Sequence, residues 1–174
     1  MGLDMYLEAK RFLWSEERKN IKIENIEIPK DCEIQEIKIE VGYWRKANQI
    51  HNWFVNNVQD GKDDCEDYYV SKDKLEKLLS VCKEVLSQSK LVKGTVRNGE
   101  SYTPETGWKV NYEDGQIIVD SSIAEELLPT TSGCFFGNTG YNEWYLDDIK
   151  DTIEIIEKAL KLPKGWELYY NSSW

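Results

Sequence analysis

The chain has one histidine, four prolines and four cysteines in 174 residues, and each scarcity removes a class of chemistry. A lone histidine, with no H-x-x-x-H, leaves no set of imidazole ligands for a transition metal. Cys32, Cys65, Cys82 and Cys134 are widely spaced and form no C-x-x-C. Neither a zinc ribbon nor a dithiol redox motif is present, and the expectation is reduced thiols in a cytoplasmic protein. No metal and no cofactor are assigned, although magnesium at scattered carboxylates such as Asp4 or Glu143 needs no local motif. No apolar run approaches the ~20 residues that cross a bilayer, and the first residues lack the basic-then-apolar layout of a signal peptide, so membrane attachment is not expected. Basic charge is also short: 22 Lys and Arg face 32 Asp and Glu, a net charge of −10. That balance repels nucleic-acid polymers, whose affinity rests on phosphate neutralisation. It leaves open a small anionic ligand, because local Arg and Lys override net charge, and it leaves open an acidic mimic of DNA.

What the chain does contain is enough apolar (40%) and aromatic (12%) material to bury a core, as one domain spanning residues 1–174. Leu3-Asp4-Met5-Tyr6-Leu7 alternates, which predicts a strand with Leu3, Met5 and Leu7 on its buried face and Asp4 and Tyr6 on the other. Residues 15–20 read as a charged connection. Ile21 to Ile28 and Ile37 to Val41 again show period two, which predicts two antiparallel strands joined at Pro29. Apolar residues at helical spacing predict one helix from Lys46 to Val58 (Ala47, Ile50, Phe54, Val58), a second after an N-cap at Ser71 (Leu75, Leu78, Leu79, Cys82, Val85, Leu86), and a third carrying Leu146, Ile149, Ile153, Ile156 and Leu160. Residues 60–67 read as a solvated acidic loop.

Residues 91–120 read as an inserted hairpin, with Trp108, Val110 and Tyr112 alternating before a turn signal at Asp114-Gly115 and a further turn at Arg97-Asn98-Gly99. This excursion is placed to cover or border a site. Ser122 to Leu128 fits one short helical turn, Phe135-Phe136 a short buried strand, and residues 166–170 a last strand. The element order predicts an α+β fold, a mainly antiparallel sheet with about three helices packed on one face.

Chemistry-bearing residues concentrate in Gly42-Tyr43-Trp44-Arg45-Lys46-Ala47-Asn48-Gln49-Ile50-His51-Asn52-Trp53, where a strand is expected to pass into a helix. Ala47 and Ile50 belong to the core. Trp44, Asn48 and His51 fall at i, i+4 and i+7 and form a neighbouring stripe if the helix starts at Trp44, flanked by Arg45 and Asn52. His51 suits acid–base chemistry, yet no nucleophile pairs with it by any local motif. Gly137-Asn138-Thr139-Gly140 precedes a helix, as phosphate cradles do, but Glu143, Asp147 and Asp148 oppose an anion there and a structural turn is the better reading. Trp and Tyr beside Arg45, Lys46 and several Asn are what a nucleotide pocket uses: rings stack on a base, carboxamides read its edge and cations meet phosphate. The candidate ligand contacts are Tyr43, Trp44, Arg45, Asn48, His51, Asn52, Phe136, Tyr141 and Trp144.

The start Met1-Gly2-Leu3-Asp4-Met5-Tyr6-Leu7, the central stretch through Trp53-Phe54-Val55, Phe135-Phe136-Gly137 and the ending Ser172-Ser173-Trp174 resemble a family of uncharacterised phage and prophage proteins. The resemblance covers most of the chain outside residues 91–120, and it implies a small protein of the host-cell cytoplasm with no assigned activity. Joined to the aromatic and polar stretch, it leads to three expectations. The first is a binder that sequesters a small nucleotide-like host immune signal without chemistry. The second is an enzyme that degrades or modifies such a nucleotide with His51 as acid or base. The third is an acidic inhibitor or DNA mimic that occupies a host defence protein. A homo-oligomer is compatible with each, since pockets for symmetric ligands often lie between subunits.

Overall fold

The computed structural model describes residues 2–174. Among the described residues eleven elements follow one another: β1 (Asp4–Phe12), α1 (Ser15–Asn20), β2 (Glu36–Arg45), α2 (Asn48–Asn57), β3 (Tyr68–Val70), α3 (Lys72–Gln88), β4 (Leu91–Thr103), β5 (Gly107–Ile118), α4 (Ser122–Leu127), α5 (Glu143–Leu160) and β6 (Glu167–Ser173). The fold is α+β. Four strands form an antiparallel sheet in the order β2-β1-β6-β3, and β4 pairs with β5 in a separate two-stranded ribbon.

Alternation along β1 sets the layering. Leu3, Met5, Leu7 and Ala9 are fully buried, and the register places Trp44 and Ser172 beside Met5, and Gly42 and Tyr170 beside Leu7. All of these belong to the inner face. The outer face is polar, with ion pairs from Lys38 to Glu8 and from Lys10 to Asp67. Helices α2, α3 and α5 cover the inner face with the stripes their spacing predicts, including Leu75, Leu78, Cys82 and Val85 on α3 and Leu146, Ile149 and Ile156 on α5. Burial pushes the Cys82 thiol up to about 12, so it behaves as a small apolar side chain. The Ser71 side chain accepts from the Lys74 N–H as the predicted N-cap of α3.

Three sequence expectations are corrected. Residues 15–20 are a short helix, entered where Glu17 accepts from the Trp14 backbone N–H at 3.0 Å. Residues 21–35 form no strand: Asn25 and Asp31 adopt left-handed φ of 65°, which breaks the extension, and β2 pairs with β1 instead. The hairpin of residues 91–120 turns between Thr103 and Gly107, not at Asp114-Gly115. Gly115 lies in mid-strand opposite Gly94, and Cβ atoms there would lie 2.7 Å from Val96 and from Ile117 respectively, so the two glycines let those side chains cross the ribbon.

Glycine is also required at Gly42. Val41 is the extra residue of a bulge, since Gly42 faces Leu7 while Glu40 faces Glu8. Lys158 of α5 donates to the Val41 carbonyl at 2.9 Å, and a Cβ on Gly42 would stand 2.2 Å from Ile155 Cγ2. Gly42→Ala is expected to destabilise the fold by roughly 1–3 kcal/mol, as overpacking does. In urea denaturation the double variant Gly42→Ala/Ile155→Ala should recover most of the loss; a single variant as stable as the parent would refute the packing role.

Candidate functional site

β2 ends at Arg45, and the chain turns into α2 through Lys46, whose φ of 63° is unusual for a residue with a side chain. The turn is held by the Lys46 N–H, which donates to the Leu3 carbonyl at 2.8 Å. It places Asn48, Gln49 and His51 on the first turns of α2, all three buried. Asn48 is a staple. Its Nδ2 donates to the Phe136 carbonyl (3.2 Å) and the Asn138 carbonyl (2.9 Å), and its Oδ1 accepts from the Thr131 N–H (2.9 Å). One carboxamide thereby fixes the loop of residues 129–142 against α2. The loop carries no strand at Phe135-Phe136; Phe135 takes a φ of 65° and stays exposed, while Phe136 turns inward.

Two recesses open against this loop, which lends Ser132, Gly133 and Phe136 to both. The first, about 370 Å³, is lined by His51, Asn52, Asp63, Cys134, Phe136 and Trp174 among others. His51 is 1% exposed, with Nδ1 2.8 Å from the Tyr170 hydroxyl and Nε2 3.1 Å from Asp63 Oδ2. Burial holds the Tyr170 phenol well above its ordinary pKa, so it stays protonated, and the two ring nitrogens of His51 join its hydroxyl to Asp63. Asp63 also accepts from the Trp174 indole N–H at 3.0 Å. The chain of bonds ties α2, the acidic loop and the end of β6 together, while the Tyr170 ring stacks on Phe54 at 3.9 Å.

The second recess is a groove in two parts of about 720 Å³ and 200 Å³ that share Lys46, Gly137, Asn138 and Trp144. Arg97 and Glu100 of the hairpin border the larger part, so the excursion flanks the groove. Asn138 fastens it there by donating to the Arg97 carbonyl at 2.8 Å. Arg45, Gln49 and Asp148 line the smaller part, and the Trp144 ring is 42% exposed. Gly137, at φ 92°, packs against Lys46, where a Cβ would meet Lys46 Cβ at 3.0 Å. No family model, curated protein or solved structure matches the chain. Function is accordingly read from the geometry of the site itself.

The nine candidate contacts separate. His51, Asn52 and Phe136 line the first recess, Phe136 and Trp144 the larger part of the groove, and Arg45 and Trp144 its smaller part. Tyr43, Trp44, Asn48 and Tyr141 line none of these three. Tyr43 lies on the outer sheet face and donates to Asp4. Trp44 belongs to β2 rather than to a helix; it is 3% exposed and donates to Thr152 Oγ1 at 2.9 Å, so it is core. The Tyr141 hydroxyl accepts from the Thr130 N–H and stabilises the loop. Lys46, which the sequence sets beside the aromatics as a cation for phosphate, lines the groove, and Gln49, Asp63, Arg97 and Asp148 join the recesses although none is among the candidate contacts. For Asp148 a signal existed: it lies four residues after Trp144 and shares its helix face. Among the described residues no group of three or more His, Cys, Asp or Glu is placed to hold a metal ion, and no helix is long and apolar enough to cross a membrane.

Burial lifts the Asp148 carboxyl to about 6, against the hydrogen bond from Gln49 Nε2 at 2.9 Å and reinforced by Asp151 and Asp147 on the same helix. Arg45 and Lys46 line the same cleft. A carboxyl with a raised folded-state pKa stabilises fully below its unfolded value near 4, and that contribution is lost as pH rises through 6. Asp148→Asn is therefore expected to match the parent at pH 4 and to exceed its stability by about 2 kcal/mol at pH 7.5. Thermal melts at the two pH values check this, and equal gains at both would contradict it.

Proposed function

We propose that the chain binds a small nucleotide-derived molecule in the groove beside Trp144 and sequesters it without converting it. The observation that carries this reading is the half-exposed indole of Trp144 in a groove that also presents Lys46, Arg45 and Arg97. An exposed ring offers a stacking platform of about 1–3 kcal/mol per base. Cations at the same groove meet phosphate oxygens, chiefly Lys46, since Arg97 is paired with Glu100 and Arg45 lies 4.0 Å from Asp4. The resemblance to phage and prophage proteins supplies the setting, a phage accessory protein acting in the host cytoplasm on a nucleotide immune signal. Calorimetry against cyclic oligonucleotides and cyclic ADP-ribose isomers tests the reading. Binding of one class, weakened at least tenfold by Trp144→Ala, is the expected result; uniform absence of binding refutes it.

One observation favours a second reading. His51 and Asp63 line the first recess together with the exposed thiol of Cys134, which would suit an enzyme acting on the same class of ligand. Both ring nitrogens of His51 are already engaged by Tyr170 and Asp63, and this weighs toward sequestration. Ligand released intact from denatured protein after prolonged incubation supports sequestration, and a converted product supports the enzyme.

A further inference from the structure

The smaller part of the groove has a composition that the stacking platform does not explain. Gln49 is 2% exposed on α2, and its Nε2 donates to Asp148 Oδ2 of α5 at 2.9 Å. Among the described residues Gln49 Oε1 and Asp148 Oδ1 have no hydrogen-bond partner, although both side chains line the cleft. The Gln49–Asp148 bond uses one of the two amide N–H groups, so this wall presents two free acceptors, Gln49 Oε1 and Asp148 Oδ1, beside one remaining N–H. Trp144 and Asp148 lie at i and i+4 on α5, so the ring and the carboxyl stand one turn apart on one face. Lys46, in the turn after β2, supplies a donor to the same cleft, and Arg45 lines it from the end of β2 with its Nε 4.0 Å from Asp4.

We propose that Gln49 and Asp148 read the Watson–Crick edge of a guanine base stacked on Trp144, so that the groove selects guanine nucleotides. This rests on the nucleotide-binding reading above and names the base. Guanine alone among the common bases presents two adjacent donors, N1–H and N2–H, and a carboxylate accepts both side by side. Its O6 acceptor then faces the donors of Arg45 or Lys46, the pairing by which cationic side chains favour guanine. Adenine and cytosine place an unprotonated ring nitrogen next to their amino group, directly against the carboxylate. Uracil flanks its single N–H with two carbonyl oxygens. Each of the three brings an acceptor against the Asp148 carboxylate, which leaves buried polar atoms unpaired. The larger part of the groove, with Lys46 shared and Arg97 at its border, is where the phosphates attached to the same nucleotide lie.

Calorimetry with GMP, IMP and AMP on the full chain tests the selection. IMP keeps N1–H and O6 but lacks the N2 amine, and AMP reverses the donor pattern. The expected result is GMP binding about tenfold tighter than IMP and about a hundredfold tighter than AMP, consistent with bidentate base contacts. Asp148→Asn, which keeps the side-chain shape, should remove the preference for GMP while its melting temperature at pH 7.5 rises, so that lost binding is not lost folding. Equal affinities for the three nucleotides, a preference for AMP, or an Asp148→Asn variant that still prefers GMP would overturn the base assignment and leave nucleotide binding standing. No binding of any of the three, with the cyclic compounds also silent, would overturn both.

Discussion

Asn48→Asp is expected to lower the stability of the protein by roughly 3–5 kcal/mol, the range for a buried charge stripped of its partners. The substitution changes one nitrogen to oxygen and hardly alters volume, so packing contributes little. The amide Nδ2 donates to two carbonyls of the 129–142 loop while Oδ1 accepts from the Thr131 N–H, at a position with 1% exposure. A carboxylate retains only the last of these bonds and turns its second oxygen toward the carbonyls of Phe136 and Asn138. Asn48→Ala removes all three bonds without adding charge and is expected to cost about 2 kcal/mol, because the stranded loop groups regain some contact with water. Urea denaturation separates the two variants. Hydrogen exchange should speed up at Thr131 in both, since the bonded donor loses its acceptor in one and its rigid neighbours in the other. An Asn48→Asp variant within 1 kcal/mol of the parent would mean that the loop is held by something other than this carboxamide.

The same carboxamide illustrates what a one-dimensional reading reaches. The stripes of α2, α3 and α5 and the alternation of Leu3, Met5 and Leu7 are legible because each reports a single buried face, and burial follows local periodicity. The i, i+4, i+7 stripe of Trp44, Asn48 and His51 holds only if the helix starts at Trp44, whereas Trp44 lies in β2 and the left-handed Lys46 separates that strand from α2. Asp114-Gly115 has the composition of a hairpin turn, but Gly94 across the ribbon makes it a flat crossing instead. That partner is some twenty residues away and invisible to a local rule. Asn48 was visible as a candidate contact with ligand, yet its partners lie in a loop more than eighty residues later. Asp63, Gln49 and Asp148 share this character: each acquires its role from a neighbour brought by the fold, so composition marked the region and topology chose the residues.

His51→Ala carries the sharpest consequence for function, with an expected loss of about 3 kcal/mol from a cavity and an orphaned buried hydroxyl. The ring lies edge-on to Phe136 at 5.2 Å, and its nitrogens join the Tyr170 hydroxyl to Asp63. Deleting it takes from the buried Tyr170 hydroxyl its partner at Nδ1, while Asp63 keeps solvent and the Trp174 indole. Tyr170→Phe added to His51→Ala should return about 1 kcal/mol by removing the stranded hydroxyl, and this coupling is measured by a double-mutant cycle in urea. The cycle also distinguishes a structural histidine from a catalytic one. A bridging histidine couples strongly to Tyr170 in stability, and its loss leaves GMP or a cyclic nucleotide bound in the Trp144 groove with little change in affinity, because His51 lines neither part of that groove. An acid–base histidine would instead leave ligand intact that the parent converts, and Tyr170→Phe would shift the pH profile of that conversion through the hydrogen bond at Nδ1. Conversion by the parent, abolished in His51→Ala protein that is still folded at the assay temperature, would replace sequestration with catalysis. Strong coupling in stability together with undiminished ligand recovery would make His51 the bolt that holds the C-terminal strand and the acidic loop against α2.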